Sequence, residues 1–175
     1  MLWILAIVVL LALGTAFALA ARKPDKFNIE RSIVIDAPAT RIFPLIDDFH
    51  RWTEWSPWET IDPTMTRHYS GSASGLGAVY NWAGKGKAGA GRMEIVQSSP
   101  SAKIAIKLDF TKPFEAHNTT EFLLQPQGNA TKLIWALHGP SRFVDKVMSL
   151  FISPDRMVGN QFAKGLAKLK AISEA

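Results

Sequence analysis

Between Met65 and His138 the chain breaks into short alternating stretches separated by turn residues, and this pattern constrains the fold more than any other feature. Alternation with period two puts successive side chains on opposite faces of a strand. Six candidate strands follow: Met65 to Ser70, Ala78 to Ala83, Gly91 to Gln97, Ala102 to Phe110, Ala116 to Leu124 and Lys132 to His138. Glycine-rich, Ser-Ser-Pro, Lys-Pro and Pro-Gln-Gly-Asn segments divide them, as expected of an antiparallel meander. The clearest is Ala102 to Phe110, with Ile104, Ile106, Leu108 and Phe110 on one face and Lys103, Lys107 and Asp109 on the other.

The flanks complete an α+β plan. Phe27 to Asp36 alternates around Ile29, Ile33 and Ile35 and reads as a first strand. Asp36 is placed to cap a helix carrying Ile42, Phe43, Leu45 and Ile46, with Pro38 in its first turn. Pro44 removes a hydrogen bond there, so a kink or early end is expected, followed by a short aromatic segment near Phe49 to Trp55. After Gly139-Pro140 the spacing turns helical, briefly over Ser141 to Phe151 and then from Pro154 to about Ser173, with Ser153 as cap. Val158, Phe162, Leu166, Leu169 and Ile172 form one apolar face of this last helix, opposite Lys164 and Lys168.

Residues 1–21 are uncharged, long enough at about 1.5 Å per residue to reach across a roughly 30 Å hydrocarbon core. Arg22, Lys23 and Lys26 follow at once, so the expectation is a single-pass transmembrane anchor over residues 1–21, a linker over 22–26 and one domain over 27–175 facing the cytoplasm. A cleaved signal peptide and an exported domain form the competing reading, because Ala18-Leu19-Ala20 offers a small-x-small site. Against it, no basic residue precedes the apolar run.

The 175 residues fit one domain with a real core once the apolar start is set aside. A net charge of +5, dispersed among carboxylates, argues against nucleic acid and is compatible with anionic lipid headgroups. The chain has no cysteine, which excludes disulfides, thiolate metal sites and a cysteine nucleophile. His50, His68, His117 and His138 lack metal-ligand spacing, and no Gly-x-Ser-x-Gly elbow marks a serine nucleophile. Gly84, Gly86 and Gly89 formally satisfy the dinucleotide fingerprint, but an alternating stretch follows instead of a helix, so they read as a hairpin tip. No cofactor is therefore expected, and no metal.

The order of strand, helical pair, meander and long terminal helix resembles the helix-grip fold of the START-like (SRPBCC) superfamily, in its bacterial branch of polyketide cyclases and lipid-transfer proteins. Arg31 to Pro38 is similar to the first strand and turn of that branch, and Trp52-Thr53-Glu54-Trp55-Ser56-Pro57-Trp58 to its Trp-rich segment. Gly75-Leu76-Gly77-Ala78 with Trp82, and Phe162, Gly165, Leu166, Leu169 and Lys170, extend the resemblance over Phe27 to about Ser173. It implies a curved antiparallel sheet of about seven strands gripping the last helix around an internal cavity.

Within that frame the leading expectation is membrane-anchored binding or transport of a hydrophobic molecule, lipid, isoprenoid or polyketide-like, without catalysis. Trp82, Phe122, Trp135 and Phe162 are the candidate liners, and Arg31, sharing strand parity with Ile29 and Ile33, is a candidate polar clamp. Trp52, Trp55 and Trp58 could wall the same ligand or simply pack the core. One alternative is a cyclase-like enzyme using Glu94 or Glu121, with or without a histidine, as general acid and base. Another is a protein-docking module, marked by a solid core and an exposed apolar patch.

Overall fold

The computed structural model describes residues 2–175. Its centre is one seven-stranded antiparallel sheet in the order β1-β7-β6-β5-β4-β3-β2. The strands are β1 (Lys26–Ile35), β2 (Thr66–Gly71), β3 (Ala78–Ala83), β4 (Ala90–Ser99), β5 (Lys103–Lys112), β6 (Ala116–Gln127) and β7 (Ala130–Pro140). All six meander strands form where the alternation placed them. Several run longer than expected, because backbone pairing continues past the point where the apolar pattern stops. Register shifts in β4 at Ala90/Gly91 and Ile95/Gln97 mark irregularities of the kind that curve a sheet.

Helix α1 (Leu2–Ala21) precedes the sheet, α2 (Ala39–Asp47) and α3 (Trp52–Trp55) follow β1, and α4 (Phe143–Met148) and α5 (Pro154–Glu174) close the chain. The Ser153 hydroxyl accepts the Arg156 N–H at 3.2 Å, as a cap should. Two local expectations are corrected. Asp36 does not cap α2; Pro38 holds that position, while the Asp36 N–H donates to Glu174 Oε1 at 2.7 Å and ties β1 to the end of α5. Nor does Pro44 stop α2, which continues through it to Asp47.

The last carbonyls of a helix have no partner within it. In α2 two of them are taken by indoles: Trp52 Nε1 donates to the Ile46 carbonyl at 2.9 Å and Trp55 Nε1 to the Leu45 carbonyl at 2.8 Å. The Trp-rich segment is thereby fixed under α2 with its rings turned inward.

The helix grip is completed by α5, which crosses the concave face beside β1. Lys170 Nζ donates to the Val34 carbonyl at 2.8 Å, and Phe162, Leu166 and Leu169 are buried beneath it. The concave face contributes Ile35, Ile95, Ile104, Ile106, Phe122, Leu133 and Trp135, all buried. These residues form one core, in which Trp135 and Phe162 stack with centroids 4.0 Å apart.

Helix α1 is 20 residues long and meets the domain through its last turns. Ala20 is buried, Phe17 meets Phe143 of α4 at 4.8 Å, and Lys23 Nζ donates to Ser149 Oγ at 2.7 Å. Among the described residues, which leave out the side chains at positions 2, 5, 9, 12, 13 and 87, no helix is long and apolar enough to cross a membrane. The transmembrane helix expected over residues 1–21 is thus not part of the observed fold and rests on the sequence of α1 alone.

Candidate functional site

The residues singled out by sequence do not assemble into one site. Phe122, Trp135 and Phe162 point inward as expected, but they touch one another instead of enclosing a void. Phe122 lies 4.8 Å from Trp135, Trp55 packs edge-on to Trp135 at 5.4 Å, and Trp58 does the same to Phe162 at 5.8 Å. Trp135 Nε1 donates to Thr120 Oγ1 at 2.8 Å, whose own hydroxyl donates to the Ala136 carbonyl, so the indole's polar handle is satisfied internally. These three expected liners pack as part of the core. Trp82 is half-buried, stacked on Tyr80, and its Nε1 is held by the Ala88 carbonyl at 3.0 Å.

Arg31, the expected polar clamp, reaches α5. Its guanidinium makes two 2.9 Å bonds to the Asp155 carboxylate, which raises its pKa and lowers that of Asp155. It is a strand-to-helix clamp. Glu94 pairs with Arg92 at 2.7 Å and Glu121 with Lys103 at 2.7 Å, both partly exposed. Met93, Ile95, Thr120 and Phe122 are buried on the opposite parity, so both glutamates belong to the convex face and not to any interior acid or base.

Sequence reasoning missed two groups. The first is Glu59, 9% exposed, whose carboxylate accepts from Tyr80 Oη at 2.7 Å and Arg67 Nε at 2.6 Å. Burial, then the bond to Glu59, push the Tyr80 phenol well above its ordinary range, and the Glu59 bond raises the Arg67 pKa. A buried carboxylate satisfied by both partners braces the short helices against β2 and β3. No spacing rule flags it, because its partners come from separate strands.

The second is a half-open cavity of about 460 Å³ at the end of the sheet where β1 begins, β6 begins and β7 ends. Phe27, Ala116 and Pro140 give it apolar walls, while Asn118, Glu115, His117, Arg142 and Asp145 supply polar groups. Gly139 leaves the space that the Asn118 side chain occupies. Arg142, the N-cap of α4, and Asp145 in its first turn are joined at 3.1 Å. His117 Nδ1 sits 2.7 Å from Asp109 Oδ1, and its Nε2 3.3 Å from Glu115 Oε1.

The hydrogen bond to Asp109 raises the imidazole pKa, and the nearby carboxylate charges add to it. Burial works to raise the Asp109 pKa, but the bonds from His117 and Lys107 outweigh it and hold the carboxyl below its ordinary value. The arrangement can hold a proton on His117 and present cation, amide and apolar surface to one small amphipathic molecule. Among the described residues no cluster of three or more His, Asp or Glu side chains is placed to hold a metal ion.

With fold and cavity in place, comparisons assign the class. The structure resembles CV1439 from Chromobacterium violaceum (TM-score 0.59, 14% identity, 87% of this chain and 99% of that one). It is also similar to the Aha1 dimer from Colwellia psychrerythraea (TM-score 0.58, 17% identity, 85% and 96%). A third likeness is to the di-domain ARO/CYC BexL of the BE-7585A biosynthetic pathway (TM-score 0.65, 16% identity), covering 90% of this chain and 53% of BexL. At such identities these likenesses establish the helix-grip fold and no more. The profile of the family described as "Polyketide cyclase / dehydrase and lipid transport" matches residues 26–174, and the chain belongs to that family. No curated protein matches.

Proposed function

We propose that this protein binds an amphipathic or hydrophobic small molecule, of lipid, isoprenoid or polyketide-like chemistry, at the end of the grip and not in its centre, while α1 anchors it in a membrane. The observation that carries this reading is the open depression of about 460 Å³ at the start of α4, set against a centre in which Trp135 and Phe162 stack. An apolar tail fits against Phe27, Ala116 and Pro140, and a polar head against Arg142 and Asn118. The family's description, with its mention of lipid transport, supports the ligand class. Support for the anchor is the uncharged sequence of the 20-residue α1 and the basic residues directly after it.

The test uses the full chain extracted in mild detergent and examined by native mass spectrometry for retained small molecules, beside Ala116→Trp, which fills the cavity. Retention by the parent and loss in Ala116→Trp is the expected result. An empty parent that also fails to bind a fluorescent fatty acid would reject the reading. Equal retention by the variant would move the ligand elsewhere.

A catalytic reading is favoured by one observation, the Asp109–His117 pair at the cavity wall. There His117, with its raised pKa, would act as proton donor to a bound substrate. Under that reading His117→Gln abolishes turnover of a retained ligand while leaving its binding intact. Under the binding reading no chemical change in the ligand is seen with either chain.

A further inference from the structure

We propose that α4 and the turn after it form a second membrane contact, lying in the headgroup boundary of an anionic bilayer alongside α1. The inference rests on the reading of α1 as an anchor and adds a surface, an orientation and a lipid preference.

Helix α4 is only six residues long, yet Phe143, Val144 and Met148 on it are exposed. So are Phe151 at 80%, Ile152, and Met157 at 61% in the first turn of α5. Six large apolar side chains within fifteen residues, outside the core, amount to a surface that water alone does not favour.

Its position relative to α1 selects the occupant. Phe17 packs on Phe143, and Phe17 lies four residues before the end of α1, about 6 Å along the axis at 1.5 Å per residue. When α1 is inserted, Phe143 is therefore held about 6 Å inside the end of the apolar segment, within the roughly 5–10 Å depth at which interfacial helices sit. Lys23, bonded to Ser149, fixes the other side of the same contact.

Charge agrees. Of the carboxylates at this end, Asp25 is paired with Lys146, Asp145 with Arg142, Asp155 with Arg31 and Glu115 with His117. Arg22, Lys23 and Arg156 have no carboxylate partner among the described residues, leaving a cationic excess for anionic headgroups.

The consequence concerns the cavity. Since Arg142 caps α4 and Asp145 lies in its first turn, seating α4 in the boundary puts the cavity's opening at the lipid surface. A ligand then passes between bilayer and protein without crossing bulk water.

The absence of native cysteine makes a direct test available. Single variants Leu11→Cys, Phe151→Cys, Met157→Cys and Asn129→Cys of the full chain are spin-labelled and reconstituted into vesicles of phosphatidylcholine and phosphatidylglycerol. Asn129, exposed at the opposite end of the sheet, is the water reference. Accessibility to oxygen and to a water-soluble nickel chelate is then measured at each label.

The expected result is a deep label at Leu11, labels at headgroup depth at Phe151 and Met157, and water values at Asn129. A deep Leu11 with Phe151 and Met157 matching Asn129 overturns the second contact and leaves the anchor standing. Labels at Phe151 and Met157 that are immobile, shielded from both reagents and broadened by a neighbouring spin assign the surface to a second copy, overturning the lipid assignment. Water values at Leu11 reject the anchor and this inference with it.

Discussion

Trp135 touches Trp55, Trp58, Phe122 and Phe162, so its ring joins the sheet, the Trp-rich segment and α5. Trp135→Ala should cost about 3–5 kcal/mol, the range for deleting a large buried aromatic, read as a fall in denaturant midpoint. Glu94→Gln and Glu121→Gln should each stay within about 1 kcal/mol, as exposed pairs do. A Trp135→Ala chain as stable as its parent would mean the interior is not packed as described. The Asp109–His117 pair gives a pH signature. Its imidazole pKa is raised, so that contribution is complete below the ordinary value of 6.5 and disappears as pH rises through the folded value. Its carboxyl pKa is lowered, so that contribution is complete above 3.8 and disappears as pH falls through the folded value. The stability gap between parent and His117→Gln should be widest between those two ordinary values and close toward alkaline pH. A gap that is constant with pH would contradict the pairing. Alternation along β6 and β7 was enough to point Phe122 and Trp135 inward, but it cannot tell a ring lining a void from one filling it. The same alternation that buries Met93 and Ile95 places Glu94 on the outer face.

Helix α5 shows how much an element's own sequence reveals. Its cap, its length and its apolar face are all legible from Ser153 to Ser173, and the structure reproduces them. What is not legible is how close it lies to the sheet. Gly165 has no side chain because the Trp135 ring and Pro57 occupy that place. Alanine is the better helix former by about 1 kcal/mol, yet Gly165→Ala should destabilise by about 1–3 kcal/mol through overpacking. Thermal unfolding decides the sign, and a stabilised variant would show that α5 lies further out. Helix α2 offers the complementary case. Pro44 predicts a kink or an early end, yet the helix runs on to Asp47, and the indoles of Trp52 and Trp55 take the Ile46 and Leu45 carbonyls of its last turn, a C-terminal anchoring from outside the helix that local sequence does not display.

Seen whole, the molecule is asymmetric. The end formed by the β6–β7 turn is polar and exposed, whereas the other end gathers the cavity, α4 and the last turns of α1. The fold class was readable because periodicity reports secondary structure directly. The cavity was not, since its walls come from β1, the start of β6, the end of β7 and α4, stretches up to about a hundred residues apart with no shared motif. Binding at that end, and not in the aromatic centre, is the central claim. Photolabelling the full chain in vesicles with a diazirine-bearing fatty acid, followed by peptide mapping, tests it most directly. The account predicts adducts on the segments containing Phe27, Ala116 to Asn118, and Pro140 to Asp145. Adducts concentrated instead on the segments of Phe122, Trp135 and Phe162 would contradict it, because they require an open interior.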